Sequence, residues 1–204
     1  MTSRSRDFWE DRYRTATEAG SSLWGADPNG WIADRVAALA TQPGLAIDVG
    51  AGEGRNAFWL AGRGWRVVAT DFAASAVAGM RRRAVEAGAA VDAVEADATT
   101  WHSAEPADLA VLCYLQLEPD ALADAIARAA ESLARGGLLL GIWHDRDDVA
   151  RGLGGTMTPA IRTTPEETAA AARAAGLEIE LSGRRDRDTP AGPACDCLLV
   201  ARRP

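Results

Sequence analysis

The residues best placed to do chemistry open with Asp48-Val-Gly50-Ala51-Gly52-Glu-Gly54, an acid followed by three glycines at every second position. An apolar run, Leu45–Val49, leads into it, and a helical pattern starts near Arg55. Glycine suits a backbone that must approach a ligand closely or take positive φ. The free N–H groups of a helix start favour a nearby anionic group. The spacing is not G-x-G-x-x-G: counted from Gly50 and Gly52, the third glycine falls on position 55, which is Arg55. Two further acids, Asp71 and Asp97, close apolar runs of their own, and a carboxylate at a strand end can accept hydrogen bonds from adjacent hydroxyls. Of the two histidines, His102 and His144, the second directly follows an apolar run and has Asp145 beside it, a composition suited to proton transfer near neutrality.

The Asp-x-Gly-x-Gly-x-Gly pattern resembles motif I of the class I S-adenosylmethionine-dependent methyltransferases. Its extension, Gly52-Glu53-Gly54-Arg55-Asn56-Ala57, resembles the small methyltransferases related to tellurite-resistance and thiopurine methyltransferases. Tyr114-Leu115-Gln116-Leu117 resembles the segment after the fourth strand in that group, often Tyr-Leu-His-Leu. Gln116 departs from the pattern, and glutamine hydrogen-bonds without shuttling a proton.

The resemblance implies S-adenosyl-L-methionine as cofactor and S-adenosyl-L-homocysteine as product. It places Asp48, Gly50, Ala51 and Gly52 under the methionine part, and Asp71 on the ribose hydroxyls. Asp97 and the Ala98 N–H would meet the adenine edge, with Phe72 and Ala98 walling its faces. Trp9 and Tyr13 belong to an N-terminal cover over the cofactor, with plain packing of these aromatics against the sheet edge as the equal alternative, and Tyr114 lines the pocket. Catalysis is assigned to His144 as general base, with a histidine that merely caps a strand as the alternative; no metal is expected. The acceptor is a small molecule methylated on O, S, N or a chalcogen by in-line displacement. A non-catalytic cofactor-binding or regulatory protein is the main alternative. A nicotinamide-dependent oxidoreductase is weaker, since the glycine spacing and any Tyr-x-x-x-Lys pair are absent: the basic side chains are all arginine.

Composition narrows the partners. The formal charge of −7 repels phosphate backbones, which disfavours nucleic acid as substrate. The Asn/Asp-Pro-Pro-aromatic motif of enzymes that methylate base and glutamine amino groups is missing after the fourth apolar run, as is the Pro-Cys of cytosine C5 enzymes. The N-terminus lacks a signal-peptide core and no apolar run is long enough for a membrane span, so a cytoplasmic protein is expected. Cys113 reads as a buried thiol, and Cys195-Asp-Cys197 as strand residues rather than a metal site. The oligomeric state has no signature.

The elements that position these residues alternate strand and helix, which means a parallel doubly wound sheet. Helices at Ser5–Thr17 and from about Asn29 to Ala40 precede it. Strands are expected at Leu45–Val49, Trp65–Thr70, Val91–Ala96, Ala107–Cys113 and Gly137–Trp143. Helices should span Arg55–Gly62, Ser75–Ala87 and Pro119–Gly136. His144–Arg162, with Gly152, Gly154 and Gly155, reads as a mobile loop or lid. Thr164-Pro-Glu-Glu167 is a capping box opening a last helix that Gly176 closes. Leu177–Ser182 and Ala194–Ala201 then pair as an antiparallel hairpin. The resemblance implies a seven-stranded Rossmann-like α/β sheet of order 3-2-1-4-5-7-6 with the last strand antiparallel. The chain is expected to form one domain, with 1–41 the helical cover and 42–204 the sheet core.

Overall fold

A computed structural model of the chain describes residues 3–39, 42–147, 159–189 and 192–204. Seven strands form one sheet in the order β3-β2-β1-β4-β5-β7-β6. They are β1 (Leu45–Val49), β2 (Arg66–Asp71), β3 (Val91–Glu95), β4 (Ala107–Cys113), β5 (Leu133–His144), β6 (Glu178–Thr189) and β7 (Gly192–Arg202). The first five run parallel, and β7 is antiparallel to both β5 and β6. This is the expected topology. All five residues of β1 are buried, as a central parallel strand covered on both faces requires.

Alternation along the strands feeds two cores. Leu45, Ile47, Val49 and Leu139 face α5 (Pro119–Ser132) and α6 (Pro165–Ala174), against Leu122, Ile126 and Ala172. Ala46, Val67, Leu109 and Leu140 face α2 (Gly30–Ala37), α3 (Arg55–Ala61) and α4 (Ala74–Ala87), against Ile32, Leu60, Val77 and Met80. Each fully buried Leu, Ile or Met contributes about 1.5–3 kcal/mol. The helix ends follow local chemistry. Asn29 caps α2 through its side chain, Gly88 closes α4 at φ 57°, and Thr164 and Glu167 form the capping box of α6.

The larger departures from the sequence expectation lie at the start of β5 and in the hairpin. The helix expected to reach Gly136 stops at Ser132, and β5 begins at Leu133. Leu133 pairs with Ala107 of β4 and is 1% exposed, so sheet pairing and core burial override the local helical pattern. The hairpin is longer than Leu177–Ser182 and Ala194–Ala201 suggest. The polar stretch Gly183–Thr189 continues β6, laddered against Gly192–Leu198. Its charges suit an edge strand and find partners: Arg184 pairs with Asp145 at 2.9 Å and with Asp147 at 3.2 Å. The expected loop His144–Arg162 falls largely on residues 148–158, outside the described residues. Asp145 bridges Thr163, and a short 3-10 turn spans Pro159–Ile161. Among the described residues no helix is long and apolar enough to cross a membrane.

Candidate active site

The carboxyl ends of the strands open into a cavity of about 480 Å3, inside the usual range for small-molecule sites. Its floor is the turn between β1 and α3. Gly50 and Gly52 have φ of 71° and 58°, where any other residue is strained. A Cβ on Gly52 would lie 2.7 Å from the Tyr13 hydroxyl, and one on Gly50 would lie 2.7 Å from Leu115 Cδ1. The turn is therefore bare backbone held between the cover and the β4 loop.

Asp71, at the end of β2, holds this turn in place. Its Oδ2 accepts from Gly52 N–H and its Oδ1 from Ala73 N–H, both at 2.9 Å. Burial raises its pKa, against the lowering effect of those N–H donors. Each oxygen keeps a lone pair for a ligand hydroxyl. Phe72 follows it into the cavity wall, with the Arg6 guanidinium 5.5 Å above its ring.

Asp48 lies beneath the turn, 1% exposed, and neither oxygen meets a partner at hydrogen-bonding geometry among the described residues. Burial pushes its pKa to about 7 from an ordinary 3.8, with the Ala57 N–H and Arg55 pulling the other way. The folded chain holds this proton more tightly than the unfolded chain, so stability is full below about pH 4 and is lost as pH rises through about 7. At ~1.4 kcal/mol per unit the loss is on the order of 4 kcal/mol. Asp48→Asn should thus melt higher than the parent at pH 8, with the gain shrinking as pH falls toward 4. A constant difference at both pH values, read by calorimetry, would exclude this origin.

The cover comes from α1 (Ser3–Glu18) and the loop after it. Trp9 stacks on Tyr13 at 5.7 Å and meets Trp24 at 5.9 Å, and all three line the cavity. The cover is tied to the motif itself. Glu53 Oε2 accepts from Ser22 Oγ at 2.7 Å and Leu23 N–H at 2.9 Å, while Asn56 Oδ1 accepts from Asn29 N–H at 2.9 Å. Glu10 adds a third tie by accepting from Ser75 N–H in the first turn of α4, whose own N-cap, Ala73, has no side-chain acceptor. Hydrogen bonds to a charged group contribute about 1.5–3 kcal/mol. Glu53→Ala should therefore weaken cofactor binding about tenfold while the unfolding midpoint of the sheet barely moves. Unchanged affinity in a titration would uncouple the cover from the site.

The opposite wall is built by β4, β5 and the hairpin. Tyr114 has φ 55°, the only non-glycine positive φ among the described residues. That backbone stacks its ring on His144 at 4.6 Å and sends its hydroxyl to Asp196 Oδ2 at 3.0 Å. Arg187 Nε donates to the same oxygen at 2.8 Å. Burial and the Asp196 carboxylate raise the Tyr114 phenol, so it is a donor at neutral pH. Burial pushes the Cys113 thiol up to about 11, which keeps it un-ionised. Gln116 lines this end with both amide atoms buried and unpartnered among the described residues.

The cavity thus gathers Gly50, Ala51, Gly52, Asp71, Phe72, Tyr114, His144, Trp9 and Tyr13. Asp48 sits under the loop rather than in the lining. Asp97 and Ala98 also lie outside it: Asp97 Oδ1 accepts from Thr99 N–H and Oγ1, and Ala98 is packed in the core. Sequence reasoning missed Arg187 and Asp196. The signal for Asp196 was a carboxylate between two cysteines in an otherwise apolar strand. Arg187 had none, since its strand reads as a polar loop.

Residues 46–137 match the model of a methyltransferase domain family. Several solved structures are similar. TehB from Haemophilus influenzae superposes with a TM-score of 0.73 at 16% identity, over 96% of this chain and 67% of that one. The magnesium protoporphyrin IX methyltransferase ChlM from Synechocystis PCC 6803, solved with bound SAH, gives 0.74 at 18% identity over 98% of both chains. The [4+2]-cyclase SpnF gives 0.73 at 19% identity, over 98% of this chain and 95% of that one. These likenesses are of fold, and one fold carries more than one chemistry. No curated protein matches the chain at a significant level.

Proposed function

We propose that this chain, a methyltransferase by its domain and fold with S-adenosylmethionine as its cofactor, methylates a small-molecule acceptor at the Tyr114–His144 end of the cavity. The observation that carries the reading is one cavity joining a bare glycine turn and a buried ribose-type carboxylate to a histidine wall. The residues fit the cofactor: Gly50–Gly52 would hold the methionine part, Asp71 the ribose and Phe72 the adenine, with Trp9, Tyr13 and Trp24 closing over them. Residues 1–41 are then the cover of a single unit whose core is 42–204, and a cytoplasmic location suits it.

When bound, the cofactor supplies a methyl carbon whose bond to sulfur breaks as the acceptor's lone pair attacks, the bonding pair staying on sulfur in S-adenosylhomocysteine. The protein's share is positioning, which can supply up to ~7–11 kcal/mol of the barrier. His144 takes the acceptor's proton. Titration calorimetry tests the first half: S-adenosylmethionine and S-adenosylhomocysteine should bind and NAD should not, and the reverse result would overturn the assignment. A panel of phenols, alcohols, thiols and chalcogen oxyanions, followed by release of S-adenosylhomocysteine, tests the second. Cofactor binding with no acceptor methylated would leave a non-catalytic binding protein.

A further inference from the structure

We propose that Asp196 is the positioning residue for His144, holding the neutral imidazole in its Nδ1–H form so that the Nε2 lone pair is the one left to act as base. The inference rests on the reading of His144 given above and adds to it the group that decides which nitrogen carries the proton.

Strand pairing sets the two side by side: His144 of β5 and Asp196 of β7 are direct cross-strand partners. Asp196 is 1% exposed, in a strand otherwise apolar at its centre. Its two oxygens have different company. Oδ2 accepts from both Tyr114 Oη and Arg187 Nε. Oδ1 is buried with no hydrogen-bond partner among the described residues, and His144 Nδ1 stands 3.6 Å from it. A buried carboxylate oxygen left unpaired is costly, and a slight tilt of the ring brings Nδ1–H onto it. Arg187 Nη2 competes for the same nitrogen at 3.4 Å, which would require Nδ1 to be an acceptor. The competition favours Asp196, because an unpaired buried carboxylate oxygen costs more than an unpaired imidazole lone pair. An orienting carboxylate of this kind selects the tautomer and steadies the imidazolium formed on proton transfer. Such a base suits an acceptor that arrives protonated, an alcohol or a phenol, and is superfluous for a thiolate or an oxyanion.

Amide replacement makes a sharp test. In Asp196→Asn the two donors, Tyr114 and Arg187, keep the amide oxygen at the Oδ2 position. The amide NH2 then faces His144 and obliges Nδ1 to accept. Nitrogen-15 NMR of the neutral imidazole in the full-length, ligand-free protein reads the tautomer directly. With only two histidines in the chain, His102→Gln assigns the signals. The expected result is Nδ1–H in the parent and Nε2–H in Asp196→Asn, with His102 unchanged. Arg187→Met should keep Nδ1–H. Nε2–H in the parent, or in Arg187→Met, would overturn the proposal, and the parent spectrum decides it even if Asp196→Asn does not fold. The readout needs neither cofactor nor acceptor, so it stands apart from whether His144 is the base. Turnover adds the link: once an acceptor is found, Asp196→Asn should lose activity about as far as His144→Ala with cofactor affinity unchanged. Full activity in Asp196→Asn beside an inactive His144→Ala would sink the positioning role and leave the base.

Discussion

Replacing His144 with alanine is expected to leave S-adenosylmethionine affinity unchanged and to slow transfer to a hydroxyl acceptor by ~10²–10⁴, the usual contribution of a positioned general base. The two effects separate because the groups that would hold the cofactor, Asp71 and the Gly50–Gly52 turn, stand at the ends of β2 and β1, whereas His144 ends β5, two strands further along the sheet from β1. No other described group there is fit to take its place. Tyr114 and Cys113 both keep their protons near neutrality, and the Gln116 amide is not basic enough to take one. Single-turnover rates between about pH 5 and 8, the range in which a histidine changes charge, check the claim. Unchanged turnover across that range would mean that the acceptor arrives ionised and that proximity alone carries the rate.

The second large effect is expected from Asp71→Ala. The substitution removes ribose bonds and also releases Gly52 N–H and Ala73 N–H, each now held at 2.9 Å. Charged hydrogen bonds contribute about 1.5–3 kcal/mol each, and an abandoned buried donor adds its own desolvation cost. Cofactor affinity should fall at least tenfold, and about a hundredfold if the turn also loosens. Asp71→Asn separates the parts, because its amide can still accept from one of the two N–H groups. Calorimetric titration of both variants, with circular dichroism confirming the fold, is the measurement. A folded Asp71→Ala protein with parental affinity would remove Asp71 from the site.

The readable part of the site was local. The acid and three glycines at period two, the acid closing β2 and the histidine closing β5 each sit where an element ends, and element ends follow from apolar patterning. The cavity lining includes Gly50, Gly52, Asp71 and His144 as a consequence. The end of β3 behaved differently. Asp97 bonds within its own turn, to Thr99, a local alternative open to any Asp in a loop. The Glu53 and Asn56 ties to the cover were in plain view as residue types, but their partners, Ser22, Leu23 and Asn29, are about thirty positions earlier.

What the amino-acid sequence determined by itself was therefore the order and kind of the elements, the seven-stranded sheet, and the glycine turn at the carboxyl edge of β1. Those depend on burial period and on backbone that only glycine tolerates, both properties of short stretches. Tertiary structure alone decided where helix yields to strand at Leu133 and that Gly183–Thr189 is sheet, because in each case pairing with a distant strand outweighs local propensity. It alone set Asp196 beside His144, through the register of β5 against β7. Two residues 52 positions apart in the chain become neighbours only when the hairpin closes, and no local pattern encodes that distance.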